Sequence, residues 1–194
     1  MRSTIAILTS IAAAVVAAPA MAHTGHGLDG FAAGFAHPFH GVDHLLAMIA
    51  VGAWAAQQGA RAVWALPAAF VGVMALGGVL GFAGFALPGT ESVILASVLV
   101  LGAVVAAAAK LPLAVAAPLV GAFALFHGLA HGAELPEAAN APAYAAGFVA
   151  ATTLLHAAGI ALAFALHGAK PRLALRALGA AQVGAGLLLA AGAI

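Results

Sequence analysis

Hydrophobic residues fill long stretches of this chain, and isolated charged residues divide those stretches into segments of helical length. Asp, Glu, Lys and Arg are absent from residues 62–90, 92–109, 111–133, 138–169 and 177–194. An earlier segment, residues 31–57, is mostly apolar but carries three His and one Asp. A helix needs about 20 apolar residues to cross roughly 30 Å of hydrocarbon. The pattern therefore predicts six transmembrane helices, near residues 31–57, 63–87, 92–109, 112–132, 142–167 and 173–193.

The composition of the chain excludes a water-soluble protein. Of its 194 residues, 65% are hydrophobic and 6% are charged, whereas soluble domains have about 25% charged residues. The formal net charge of +1 offers no basic surface for nucleic acid. The lack of Cys excludes disulfides, thiolate metal sites and iron–sulfur clusters. We therefore predict an all-α integral membrane protein. Its Gly77 and Gly81 form a GxxxG pair, which is either a helix-packing face or glycine scattered in an Ala- and Gly-rich helix.

The first 22 residues have the layout of a secretory signal peptide. Arg2 supplies a positive charge, residues 5–16 are mostly apolar, and residues 20–22 (Ala-Met-Ala) form a small-x-small cleavage site. We expect cleavage after this site, with residues 23–194 forming a six-helix transmembrane domain. An uncleaved first helix is the alternative. A cleaved signal peptide leaves the mature N terminus outside the cytoplasmic membrane.

The charges of the mature segment divide between the two sides of the predicted bundle. Positive residues lie in or beside alternate loops, at Arg61, Lys110, Lys170, Arg172 and Arg176. Acidic residues lie at the opposite helix ends, at Asp29, Glu91, Glu134 and Glu137. The positive-inside rule places the first group in the cytoplasm. We therefore predict a multi-pass protein of the bacterial inner membrane whose mature N terminus is periplasmic.

The nine histidines are the unusual feature of so apolar a chain, because an ionisable side chain within a bilayer is energetically costly and usually marks a functional path. The first predicted helix carries one cluster, which consists of His37, His40, Asp43 and His44. On a continuous helix these three histidines fall within roughly 60° of arc. The fourth predicted helix carries a second cluster, which consists of His127, His131 and Glu134. Both clusters lie toward the outer ends of their helices, so we expect them to face each other.

Imidazoles and carboxylates without sulfur suit a particular group of metal ions. Imidazole binds Zn, Cu, Fe, Ni and, by extension, Co, whereas Mg and Ca prefer oxygen ligands. A carboxylate beside the histidines offsets the charge of the metal or orients a ring. The two clusters therefore predict a transition-metal site, although these residue types do not distinguish nickel from cobalt.

The four histidines outside the two clusters have weaker cases. His156 and His167 share a face of the fifth predicted helix, where they either form a path toward the cytoplasm or make local hydrogen bonds and cap the helix end. The other pair, His23 and His26, lies near the mature N terminus and either captures metal outside the membrane or belongs to a disordered tail. The further candidate metal ligands are accordingly His40, His156, His23 and His26.

Two motifs give the chain a resemblance to the HupE/UreJ family of nickel/cobalt permeases, which are hydrogenase and urease accessory membrane proteins. The first family motif, His, five residues and Asp-His, occurs here as His37, Asp43 and His44. The second, Phe-His-Gly-x-Ala/Val-His-Gly-x-Glu, occurs as residues 126–134. Another nickel/cobalt transporter family has four residues in the first spacing, which argues against that family. The resemblance covers essentially the whole chain.

The resemblance implies a secondary transporter with no enzymatic reaction. It implies that Ni²⁺ or Co²⁺ enters the cytoplasm and supplies the maturation of hydrogenase or urease. The metal is then the substrate, and no cofactor is bound permanently. The functional positions implied are His37, Asp43, His44, His127, His131 and Glu134. The sequence has no Walker motif for nucleotide hydrolysis, so we expect ion gradients or the membrane potential to supply the energy.

Two other functions compete with transport. A membrane haem protein uses paired histidines as axial ligands and shows a Soret band, but it leaves Asp43 and Glu134 without a role. An intramembrane metalloenzyme shows metal-dependent hydrolysis, although the sequence has no HExxH motif. The expected partners are a divalent metal ion and the lipid bilayer, and not nucleic acid. Formation of a homo-oligomer and an indirect link to hydrogenase or urease maturation proteins stay open.

Overall fold

The computed structural model of the protein describes residues 30–135, 140–166 and 169–192. All regular structure within these ranges is helical, which confirms the predicted all-α fold. The predicted signal peptide lies outside the described residues. So do several residues singled out in the sequence, namely His23, His26, Asp29, Glu137 and His167.

The described part of the chain forms seven α-helices. In chain order they are α1 (Gly30–Ala36), α2 (Val42–Gln58), α3 (Ala60–Phe82), α4 (Thr90–Ala107), α5 (Leu113–Ala133), α6 (Ala141–Ala165) and α7 (Ala169–Ala190). The helices α3 to α7 are long and apolar enough to cross a membrane. A sixth span exists if α1 and α2 count as one bent segment. The structure therefore supports five or six of the six predicted spans.

The first predicted helix is broken, so the prediction of a continuous helix over residues 31–57 is wrong. Helix α1 ends at Ala36, a 3₁₀ turn covers His37–Phe39, and α2 then runs at 83° to the first part. Pro38 lies in this turn, and Gly41 before α2 has an extended backbone (φ −97°, ψ 118°). Proline lacks a backbone N–H and its ring clashes with the preceding helical turn, which accounts for the change of direction. The histidines of the first cluster consequently do not share one helical face.

Glycines bring α3 and α5 into backbone contact. Gly77 and Gly81 of α3 pack against the backbone of α5, and Gly128 and Gly132 of α5 pack against the backbone of α3. A Cβ atom at Gly128 would overlap the carbonyl oxygen of Met74. These contacts favour the helix-packing interpretation of the GxxxG pair. Similar contacts join α1 and α2 to α6, and α4 to α7, at Gly34, Gly147, Gly52, Gly159, Gly102 and Gly179.

Positive side chains gather at one end of the bundle, which we call the basic end. The helix termini at this end carry Arg61, Lys110, Arg172 and Arg176. Gln57 Nε2 donates a hydrogen bond to the carbonyl oxygen of Val105 at 3.1 Å, and Arg176 Nε donates to that of Ala106 at 2.7 Å. Side chains of α2 and α7 thus bind carbonyl groups in the last turn of α4, where the Val105 carbonyl also accepts a hydrogen bond from the backbone N–H of Ala108 at 3.0 Å. The histidines of both clusters lie toward the ends of α2 and α5 that are farther from the basic end.

Candidate metal centre

Four imidazole rings meet where the bend between α1 and α2 faces the C-terminal part of α5. Between ring centroids, His131 lies 4.7 Å from His37 and 4.4 Å from His44. His44 in turn lies 5.1 Å from His127. The bend makes this arrangement possible, because it brings His37 and His44 from two helical axes to the same side of α5. We call these four residues the histidine cluster.

Glu134 borders the exposed side of the histidine cluster. Its Oε2 atom lies 3.6 Å from His37 Nε2 and 3.6 Å from His131 Nδ1. One ligand atom from each of these three residues lies within 4.8 Å of the others. Two atoms bound to one ion at about 2.1 Å are at most about 4.2 Å apart, so small side-chain movements suffice for all three to hold one ion. The interaction with His131 holds the pKa of Glu134 below its usual range, which keeps this carboxylate ionised at neutral pH.

Asp43 is placed to orient His44. Its Oδ1 atom accepts a hydrogen bond from the backbone N–H of His44 at 2.8 Å and lies 2.7 Å from the ring Nδ1 of the same residue. A carboxylate on one ring nitrogen directs the other nitrogen, here Nε2, toward a metal. Asp43 also lies in the first turn of α2, where the helix dipole favours a negative charge. The geometry therefore favours an orienting role for Asp43.

Several ring nitrogens of the cluster are buried without a hydrogen bond to any described residue. They are His44 Nε2, His127 Nε2 and both ring nitrogens of His131. The Nδ1 of His127 donates to the carbonyl oxygen of Phe123 at 2.9 Å. Because a carbonyl oxygen only accepts, the proton is on Nδ1 and the lone pair is on Nε2. Buried polar atoms nearly always have a partner, so these nitrogens indicate a place for a ligand.

Exposure orders the cluster from its mouth to its interior. The exposed fraction of the side chain falls from 57% for Glu134 and 34% for His37 to 14% for His44 and 6% for His131, and His127 is fully buried. The cluster therefore extends from the surface into the bundle and is not confined to a surface patch.

Aromatic residues that the sequence analysis did not single out border the cluster. Between ring centroids, Phe148 lies 4.4 Å from His131 and Phe70 lies 5.6 Å from His127. Tyr144, one turn before Phe148 on α6, borders the mouth. Aromatic residues one turn apart are typical of ordinary core packing, so the sequence holds no signal that marks them. A cavity of about 330 Å³ between α3, α5 and α6 also reaches His131.

The remaining candidate ligands lie apart from the histidine cluster. His40 follows the 3₁₀ turn and is exposed. His156 is buried in α6, with its ring centroid 5.0 Å from that of Phe70. The structure therefore brings together the six residues of the two motifs and leaves these two histidines outside the group. His23 and His26 lie outside the described residues.

Comparison with known proteins identifies relatives of this chain. The signature of the family described as HupE / UreJ protein matches residues 11–189. The curated protein HupE of Rhizobium leguminosarum bv. viciae is 50% identical over 186 residues, which are 96% of this chain and 97% of that protein. No solved structure matches the chain significantly.

Proposed function

The chain belongs to the HupE/UreJ family, and on that premise we propose that it is a secondary transporter that carries Ni²⁺ or Co²⁺ across a membrane. The observation that carries this proposal is the histidine cluster with its two carboxylates, Asp43 and Glu134, in an otherwise apolar helix bundle. Imidazole nitrogen suits borderline divalent ions. An apolar bundle has no structural need for four adjacent imidazoles, because ionisable groups are costly there.

In this proposal the ion enters at the exposed side of the cluster. Glu134 and His37 are the most exposed members, and the ionised carboxylate of Glu134 attracts a cation. An ion held there by Glu134, His37 and His131 exchanges part of its hydration shell for protein ligands. The negative charge offsets the desolvation of a divalent ion, which otherwise makes burial very unfavourable.

His44 and His127 offer the next ligands, and His127 is the most buried member of the cluster. Asp43 holds the ring of His44 so that Nε2 faces the interior, and the Phe123 carbonyl does the same for His127. Both rings are thus oriented before the ion arrives, so little side-chain entropy is lost when it binds. His131 contacts the rings of both His37 and His44 and links the mouth to the interior.

We propose that transport is directed into the cytoplasm of a bacterium, where the ion supplies hydrogenase or urease maturation. The basic end would face the cytoplasm and the histidine cluster the periplasm, as the positive-inside rule predicts. A membrane potential supplies about 2.3 kcal/mol per unit charge per 100 mV, and a divalent cation gains about twice that. The potential is therefore a sufficient driving force for uptake without nucleotide hydrolysis.

The geometry of the rings argues against the haem alternative. Haem iron lies between two axial ligands with the macrocycle plane separating them. The four imidazoles here are in direct contact, with neighbouring centroids 4.4 to 5.1 Å apart. They leave no slot for a macrocycle between them. A hydrolytic activity that depends on added metal would instead favour the metalloenzyme alternative.

Uptake by the purified protein in proteoliposomes tests the proposal. We expect radiolabelled Ni²⁺ to accumulate when the interior is negative, unlabelled Co²⁺ to compete, and Mg²⁺ not to compete. Protein-free liposomes and the Thr153→Ala variant are controls, because the Thr153 hydroxyl is exposed and bonds its own helix at Val149. Accumulation equal to that of protein-free liposomes would contradict the proposed function.

Paired substitutions test whether His44 and His127 share one ion. Their rings are 5.1 Å apart, although the residues lie on different helices. Each Ala substitution is expected to remove most of the uptake, and the double variant is expected to be little worse than the worse single one, since coupled residues are not additive. Effects that multiply would show that the two histidines act at independent sites.

A further inference from the structure

His156, in the middle of α6, repeats the environment of His127 outside the histidine cluster. It is 1% exposed. Its Nδ1 donates to the carbonyl oxygen of Met48 on α2 at 2.8 Å, and its Nε2 is buried without a partner among the described residues. In both histidines a backbone carbonyl fixes the proton on Nδ1. Nε2 therefore presents the lone pair that a metal ion requires.

Phe70 of α3 contacts both of these histidines. Its ring centroid is 5.6 Å from that of His127 and 5.0 Å from that of His156, with the rings edge to face in both cases. Phe70 is itself fully buried. Phe70 is therefore an apolar ring shared by the two histidines whose Nε2 atoms have no partner among the described residues.

Other donor atoms lie on the same side of α6 as His156. Thr152 is one helical turn earlier, so the two side chains share a face, and it is fully buried. The Thr152 hydroxyl lies 3.8 Å from the sulfur of Met74. A hydroxyl and a thioether supplement an imidazole without adding charge. An apolar side chain could fill this space without the cost of a desolvated nitrogen. Packing alone therefore does not explain a histidine at this position.

We propose that Nε2 of His156 is a second, deeper binding position for the transported ion, which reaches it from the histidine cluster past the ring of Phe70. This inference rests on the proposed transport function. His156 lies between the cluster and the basic end, because α6 begins beside the mouth and ends at Ala165. The ion thus has a stopping place in the middle of the bundle.

A single thiol tests this position directly, because the protein has no cysteine of its own. In the His156→Cys variant, the only thiol of the protein lies at the proposed position. Adding Co²⁺ to the purified full-length variant is expected to produce a thiolate-to-cobalt charge-transfer band in the near ultraviolet. Ser97→Cys is the matched control, because Ser97 is also fully buried and lies on α4. A band in the His156 variant alone supports the position. Its absence, with Co²⁺ still bound at the cluster, overturns the position.

A transport measurement separates this inference from the proposed function. His156→Gln keeps a side-chain amide that can donate to the Met48 carbonyl and so preserves the packing of α6 on α2. We expect its Ni²⁺ uptake in proteoliposomes to fall at least about tenfold, with equilibrium Ni²⁺ affinity changed less than about threefold. Unchanged uptake would overturn the inner position and leave the transporter intact. Absent uptake by the unmodified protein would overturn the proposed function, and the cobalt–thiolate band would then decide the inner position alone.

Discussion

The hydrogen bond made by one ring nitrogen decides what the other nitrogen of each histidine can do. His44 engages Asp43, and His127 engages the Phe123 carbonyl, each through Nδ1. Their Nε2 atoms therefore carry the lone pairs that are available to a metal ion. His131 makes no hydrogen bond within 3.5 Å to the described residues through either nitrogen, so its ring can present either one. This makes His131 the adaptable member of the cluster.

Replacing Asp43 by Asn tests the orienting role. Asn keeps the size of the side chain but removes the charge that raises the basicity of His44. We expect Ni²⁺ affinity and uptake to fall about 10- to 100-fold, as is typical when the partner of a metal-binding histidine is lost. Equilibrium binding to the purified variant measures the effect, with circular dichroism as the control for folding. Unchanged affinity would show that the charge of Asp43 is not used.

Glu134 gives a prediction about pH. His131 lowers the pKa of Glu134. The carboxylate is therefore protonated only at a pH below the ordinary pKa of Glu, which is near 4.3. It is thus an anion throughout pH 7.5 to 5.5. Uptake is therefore not expected to fall through loss of this negative charge within that window.

The Glu134→Gln variant should then transport about tenfold less at every pH and keep the shape of the pH profile, since Glu134 does not titrate in this range. Initial rates of Ni²⁺ uptake at four or five pH values give this comparison. A change in the shape of the profile would mean that Glu134 itself titrates in this range.

At the scale of elements, prolines show how far the sequence pattern reaches. Pro67 lies inside α3 and Pro118 inside α5, and both helices continue through them. Pro38 instead coincides with the break before α2. Transmembrane helices tolerate proline when neighbouring groups satisfy the freed carbonyl, which depends on tertiary contacts. Hydrophobic length therefore predicts where the spans lie but not which proline ends a helix.

The same limit applies to the candidate site. The candidate ligands were predictable because imidazoles and carboxylates are rare in an apolar chain. Phe70 was not, since it lies in a helix whose residues are apolar on all faces. Its contact with both His127 and His156 follows from the packing of α3 against α5 and α6. Spacing along one helix contains no such information.

The close backbone contact between α3 and α5 leads to a prediction about stability. A methyl group at Gly128 would overlap the Met74 carbonyl oxygen and approach Gly78 of α3. Gly128→Ala is therefore expected to lower the free energy of unfolding by about 1–3 kcal/mol and to displace His127 and reduce uptake. Gly121→Ala on the same helix is the control, because its Cβ would make only ordinary contact with Val73. Equal thermal stability of the two variants in detergent would contradict the prediction.

At the scale of the whole molecule, the two kinds of polar residue occupy opposite ends. Lys110, Arg172 and Arg176 surround the C terminus of α4, and the histidine cluster lies toward the other end of the bundle. The alternation of charge between successive loops predicted this separation. It did not predict that α4 and α7 pack together away from the cluster, since neither helix carries a residue of the site.

Labelling of single cysteines tests the proposed orientation. Ala86→Cys lies in the exposed segment after α3, and Ala109→Cys lies at the basic end. A membrane-impermeant maleimide is expected to label residue 86 from the periplasm and residue 109 only after the inner membrane is permeabilised. The opposite pattern would reverse the direction of the bundle. The unmodified chain, which has no thiol, gives the background.

The hydrogen bonds between helices at the basic end indicate which part of the molecule separates most readily. Three hydrogen bonds join this end in addition to those of Gln57 and Arg176. Trp54 Nε1 donates to the Ala109 carbonyl at 3.0 Å, and Gln58 Nε2 donates to the Leu111 carbonyl at 3.0 Å. Lys110 donates to the Gln57 carbonyl. Water can replace such bonds at a net cost of about 1 kcal/mol each. The backbone contacts between α3 and α5 have no substitute in water or lipid. Hydration can therefore loosen the basic end stepwise while the glycine crossing stays closed, so the bundle separates more readily at the basic end than where α3 and α5 cross.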